Sequence, residues 1–135
     1  MRALDSHLHL WDPSVLTYDW LDGALDRRYA AEELHAESVT AEGRQAAIFV
    51  QADPVEQQQL DEVRWVTSIA ADTGVVGIVA GARLDRGAAT HAHLEALAEY
   101  DLVVGIRHLL QGEPDGFART PAFLAGARAV AARGW

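Results

Sequence analysis

Asp5, His7 and His9 occupy alternate positions in the run Leu4-Asp5-Ser6-His7-Leu8-His9-Leu10, near the start of the chain. On an extended strand successive side chains point to opposite faces. The carboxylate and both imidazoles therefore share one face, while Leu4, Leu8 and Leu10 share the other. Neutral imidazole nitrogens are good ligands for divalent first-row cations, and two of them two residues apart on a strand can reach one ion. A single buried histidine is commonly explained by packing alone. A pair on a polar face backed by leucines calls for more, and it makes His7 and His9 the candidate metal ligands. Asp5 is expected to support them from deeper in the strand.

His91 and His93 repeat the same spelling in Ala89-Thr90-His91-Ala92-His93-Leu94-Glu95-Ala96-Leu97-Ala98, which reads as the start of a helix. At i and i+2 on a helix two side chains diverge and do not easily share an ion. These two are expected to be ordinary surface or helix-start residues.

The elements that must position the first pair follow from the apolar runs. Strands are predicted over Ala3 to Leu10, Ala46 to Gln51, Val75 to Gly81 and Leu102 to Arg107. Continuous apolar runs of this kind suit parallel strands covered on both sides. Asp53-Pro54-Val55-Glu56 reads as a helix start, with Asp53 as cap and Pro54 at the first helical position. Leu60, Val63, Val66 and Ile69 then recur at helical spacing, and Gly74 closes that helix. A further helix is predicted from about Ala88 to Tyr100 with Leu94, Leu97 and Ala98 inward. Another opens at Thr120-Pro121 and runs toward Ala131, ending near Gly134. Pro13, Gly23 and the scattered aromatic and acidic residues mark Trp11 to Arg28 as a long loop over one end of a sheet.

Strand and helix in strict alternation imply right-handed βαβ units and a parallel sheet. No Gly-x-Gly-x-x-Gly follows the first strand, which weakens a dinucleotide-binding reading. A (β/α)8 barrel needs eight units and typically ~250 residues. The 135 residues carry four units, so the expectation is α/β, the N-terminal half of a (β/α)8 TIM-type barrel, with residues 1–135 forming strands 1–4 and strands 5–8 absent.

Composition narrows the function classes. Half the residues are hydrophobic, yet no run approaches the ~18 or more apolar residues of a membrane span. The start of the chain lacks the basic-then-apolar layout of a signal peptide. Cysteine is absent, which excludes disulfides and thiolate metal sites and suits a cytoplasmic location. A formal net charge of −9 argues against nucleic acid as a partner.

Four landmarks carry a family resemblance: Asp5-Ser6-His7-Leu8-His9-Leu10-Trp11, Tyr18-Asp19-Trp20-Leu21, Phe49-Val50-Gln51-Ala52, and Gly105-Ile106-Arg107-His108 with Gln111, Glu113 and Pro114 after it. In order and spacing they resemble the amidohydrolase superfamily, amidohydrolase 2 type. The nearer likeness is to the branch of L-fucono- and L-rhamnono-lactonases, related to 2-pyrone-4,6-dicarboxylate lactonase. The resemblance implies hydrolysis of a sugar-acid lactone at the C-terminal ends of the barrel strands. His7 and His9 would occupy first-strand ligand positions for a divalent metal, commonly zinc, though some lactonases of this group work without one. The resemblance assigns proton transfer to an Asp after an eighth strand and a further His ligand to a fifth. Both fall beyond residue 135.

Within that frame Gln51 is a candidate to hydrogen-bond a sugar hydroxyl, with a strand-end surface glutamine as the plain alternative. Arg107 suits a lactone carbonyl or carboxylate, its alternative being an ion pair with a neighbouring acid. Trp20 could stack on a sugar face or simply pack on its own domain. His108 points to the opposite face if the strand stays regular, so its place in the site rests on the resemblance. The implied partner is a small-molecule sugar lactone. Two exposed edges and an apolar inner face further imply a homo-oligomer or a missing C-terminal half. The competing functions are a non-catalytic half-barrel fragment or assembly partner and a metal-dependent decarboxylase of the same superfamily.

Overall fold

A computed structural model describes residues 4–37 and 46–135. The elements alternate as β1 (Leu4–Leu8), α1 (Ala31–Glu37), β2 (Ala46–Val50), α2 (Gln59–Thr73), β3 (Val75–Gly81), α3 (Ala88–Leu97), β4 (Val103–Arg107) and α4 (Pro121–Ala131). The four strands are parallel and lie side by side in chain order. Each pair slips in register once, between Asp5 and Leu8, between Ala47 and Ile48, and between Ile78 and Val79. A progressive stagger is what rolls a parallel sheet toward a barrel. The architecture is four consecutive βα units of a (β/α)8-type barrel, as the alternation of apolar runs predicts. No helix among the described residues is long and apolar enough to cross a membrane.

The core lies between the sheet and its helices. Phe49 and Ile78 from the strands and Val63, Val66, Leu94 and Leu97 from the helices are fully buried in one cluster. On the other side of the sheet Gly77 is the small position over which Ile48 and Val104 converge. A Cβ there would lie 2.8 Å from Ile48 Cδ1 and 3.0 Å from Val104 Cγ2. Val104 remains about half exposed, as do Val76 and Leu4.

Helix ends follow the sequence signals in two places and depart from them in two others. Thr120 Oγ1 accepts the Phe123 N–H at 3.3 Å and Pro121 opens α4. Gly74 closes α2 in the left-handed region at φ 74°, its N–H donating to Ala70 O. Helix α3, in contrast, stops at Leu97, and Ala98 is exposed rather than inward.

The expected start of α2 at Asp53-Pro54 is also corrected. Asp53 adopts a positive φ of 62°, a 3-10 turn follows over Glu56–Gln58, and α2 begins only at Gln59. Val55 N–H donates to Thr17 O at 2.9 Å, and Gln58 Oε1 accepts the Thr17 N–H at 2.7 Å. The segment after β2 is tied to the loop that follows β1 and cannot coil at Pro54. Strand β1 is likewise shorter than predicted, ending at Leu8, with Ala3 outside the described residues. The long loop after β1 contains a 3-10 turn over Gly23–Leu25. An antiparallel bridge between Trp11 and Tyr29 closes it, with N–H to O distances of 2.9 and 2.8 Å.

Candidate active site

The C-terminal end of β2 is the frame from which the candidate residues hang. Val50 O faces His9 Nδ1 at 2.8 Å, Gln51 O accepts from Arg107 Nη1 at 3.2 Å, and Ala52 O accepts from Trp20 Nε1 at 2.8 Å. Residues far apart in the chain are thereby fixed around three successive carbonyl groups.

The histidine pair converges. His7 Nε2 and His9 Nε2 are 3.1 Å apart. Two nitrogens on a tetrahedral zinc ion would stand about 3.3 Å apart at ordinary Zn–N lengths. The Val50 carbonyl can only accept, so His9 carries its proton on Nδ1 and turns the Nε2 lone pair toward His7. Burial pushes the pKa of His9 below the usual histidine value, and the neighbouring His7 and Arg107 push the same way. The pair thus fits a cation in donor chemistry and spacing; His9 also fits in tautomer, while His7 would give up to the cation the Nε2 proton it donates to His9. Among the described residues no third His, Asp or Glu completes a metal-binding group with it. Asp5 supports the strand rather than an imidazole, its Oδ1 accepting the His7 backbone N–H at 3.0 Å.

His9, Trp11, Trp20, Gln51, Arg107 and Gln111 line a cleft of about 490 Å³ at this end of the sheet. Trp11 and Trp20 meet edge to face with centroids 5.4 Å apart and form an aromatic wall. Arg107 pairs with no carboxylate among the described residues, its hydrogen bond going instead to Gln51 O. Its guanidinium carries further N–H groups beyond the one bonded to Gln51 O. Gln51 is not a surface glutamine. It is 1% exposed, and its Oε1 accepts the Asp53 N–H at 2.7 Å, which stabilises the left-handed turn at Asp53.

His108 does not line this cleft but an adjoining pocket, which shares Gln51, Asp53, Leu109 and Gln111 with it. Its Nδ1 accepts the Leu84 N–H at 3.0 Å, and its ring packs between Phe117 and Phe123 with centroids 5.3 Å from each. Nε2 is buried, 3.7 Å from Glu113 Oε1, and Glu113 is itself paired with Arg83. Burial, with Arg83 nearby, lowers the pKa of this ring. The arrangement ties the ends of β3 and β4 together. The other histidine pair, in contrast to His7 and His9, is divided: His91 is exposed, while His93 Nε2 lies 3.0 Å from Gly81 O and joins α3 to β3.

One site-shaping residue escapes the sequence reasoning. Glu62 on α2 is 0% exposed, and its Oε1 accepts the Ala52 N–H at 2.8 Å. Burial raises its pKa from 4.5 to about 8, with Asp53 adding to the rise and the Ala52 bond and Arg107 opposing it. The available signal is periodicity, since Glu62 falls on the stripe Glu62, Val66, Ala70, Thr73 that α2 turns inward.

Neither a protein-family model nor a curated protein matches the chain. Solved structures do. An amidohydrolase 2 from Bifidobacterium longum subsp. infantis matches with a TM-score of 0.70 and 28% identity, over 99% of this chain and 49% of its own. An amidohydrolase from Burkholderia multivorans, solved with bound zinc, matches with a TM-score of 0.71 and 27% identity, over 100% and 47%. A probable 2-pyrone-4,6-dicarboxylic acid hydrolase from Acinetobacter baumannii matches at 16% identity with a TM-score of 0.66, over 100% and 48%, which is a likeness of fold. The chain spans about half the length of these structures.

Proposed function

We propose that the chain, with the amidohydrolase superfamily supported by its structural relatives, contributes the binding half of a lactone-hydrolysing site whose ligand is a sugar-acid lactone. The observation that carries this reading is that Arg107 shares a tryptophan-walled cleft with His9, whose Nε2 converges on that of His7. His7 and His9 would hold a divalent cation, and the bound zinc of the Burkholderia relative makes zinc the first choice. Such an ion polarises a carbonyl or lowers the pKa of water.

The reaction adds water to the acyl carbon of the ring ester, breaks the acyl C–O bond and leaves a hydroxy acid. Negative charge builds on the former carbonyl oxygen and remains on the product carboxylate. Arg107 is the cation of the cleft able to meet that charge, and its link to Gln51 O fixes its direction before the ligand arrives. Trp20, held by Ala52 O, offers an amphipathic wall to the carbon face of a sugar. Gln51 contributes through the turn it stabilises, its amide oxygen being taken by Asp53. The proton-transfer carboxylate that the resemblance assigns to an eighth strand is not among these residues, whose part is to bind lactone and acid.

Saturation-transfer NMR with sugar-acid lactones, their open acids and neutral sugars tests this reading. Lactone and acid should bind in preference to neutral sugar, and Arg107→Met should weaken that binding at least about tenfold, in the range of a lost charge-assisted hydrogen bond. Equal binding of neutral sugars, or no effect of Arg107→Met, contradicts it.

A further inference from the structure

The Gln51–Ala52–Asp53 backbone is gripped from two sides. Glu62 Oε1 holds the Ala52 N–H at 2.8 Å from the helix side, while Trp20 and Arg107 hold the carbonyl oxygens of Ala52 and Gln51 from the cleft side. Glu62 is fully buried, and its second oxygen, Oε2, has no hydrogen-bond partner among the described residues. The buried Tyr18 hydroxyl is in the same position. The titratable and charged groups bearing on Glu62 are Asp53 from the β2–α2 connection, Arg107 from β4, and Tyr18 from the loop after β1. On its own helix, Asp61 and Arg64 pair with each other in solvent.

We propose that Glu62 is a positioning residue of the cleft: its neutral carboxyl group fixes the Ala52 peptide, and through it Trp20 and Arg107, and its ionisation releases them. A neutral carboxyl accepts the Ala52 N–H through Oε1 and leaves an uncharged O–H at Oε2 without an acceptor, a smaller cost than an unpaired buried charge. A carboxylate would place charge on Oε2 in the core with no donor to meet it. Admitting water or swinging toward Arg107 relieves that charge, and either movement disturbs the peptide on which Trp20 and Arg107 hang. Burial brings the ionisation to about pH 8, within easy experimental reach. The inference concerns the shape of the cleft and holds whatever ligand the cleft takes.

The test is 19F NMR of the full chain labelled with 5-fluorotryptophan, without ligand, between about pH 6 and pH 9.5, below the ordinary tyrosine range. The Trp20 signal is assigned by its loss in Trp20→Phe. In the wild-type chain it should titrate with an apparent pKa of about 8, while Trp135 stays level. In Glu62→Gln, which keeps an amide oxygen for Ala52 N–H and cannot ionise, the Trp20 signal should stay at its low-pH position throughout. A level Trp20 signal in the wild type, or the same titration in both proteins, overturns the proposal. If the glutamine variant does not fold, the side-chain carboxyl 13C signal of Glu62 in the wild type decides. Titration together with Trp20 supports the proposal, and titration in the ordinary carboxylate range overturns it.

Discussion

His9 Nδ1 stands 2.8 Å from Val50 O, and this contact between β1's extension and β2 decides which ring nitrogen faces His7. With Nδ1–H committed to the carbonyl, Nε2 is left unprotonated and directed at the other imidazole 3.1 Å away. The expected outcome is that 15N spectra of the metal-free chain at neutral pH show His9 as the Nδ1–H tautomer. A dominant Nε2–H form of His9 would mean that the strand does not preset the pair.

Glu62 makes stability depend on pH in a defined direction. Its folded pKa is raised from 4.5 to about 8. The folded state therefore keeps a proton that the unfolded state gives up, and stability falls as pH rises through this window. Its contribution is fully present below pH 4.5 and lost by about pH 8. Urea unfolding at pH 5, 6, 7 and 8, as approximate steps across that window, should show a decline in the wild type that Glu62→Gln flattens. Parallel pH profiles for the two proteins would refute the assignment.

Gly126 lets α4 approach the backbone after β3. A Cβ at this position would lie 2.0 Å from Leu84 O, a distance that only a shift of the helix can relieve. In an open helix a Gly→Ala change gains up to about 1 kcal/mol. Here the sign should reverse, with Gly126→Ala costing about 1–3 kcal/mol, the usual range for overpacking. Thermal denaturation measures it, and a stabilised variant would show that α4 docks less closely.

Much of the scaffold is legible in the residues. The β-branched and aromatic runs Ile48-Phe49-Val50 and Val75-Val76 mark parallel strands, while Thr120-Pro121 and Gly74 mark helix ends, because these signals are local and nothing in the tertiary structure opposes them. Asp53-Pro54 carries an equally good local signal, but Gln51 takes the Asp53 N–H and the loop after β1 takes the next segment. The local bond from Gln51 and the tertiary bonds to Thr17 together outweigh a cap worth about 1 kcal/mol.

The site shows the same division. Of the candidates His7, His9, Trp20, Gln51 and Arg107, all but His7 line the cleft. His108 carries the right residue type, yet its ring serves Leu84 N–H and two phenylalanines. Glu62 is hidden because a glutamate on a helix normally faces water. The buried Ala52 N–H, left without a strand partner where β2 ends, gives it a reason to turn inward.

Zinc uptake by the full chain, measured by native mass spectrometry, tests the central claim most directly. The account predicts that the wild type takes up zinc, that His7→Ala/His9→Ala loses it, and that His91→Ala/His93→Ala retains it. Equal loss from both pairs, or zinc uptake that survives removal of His7 and His9, would contradict the reading of the β1 histidines as the metal-binding pair.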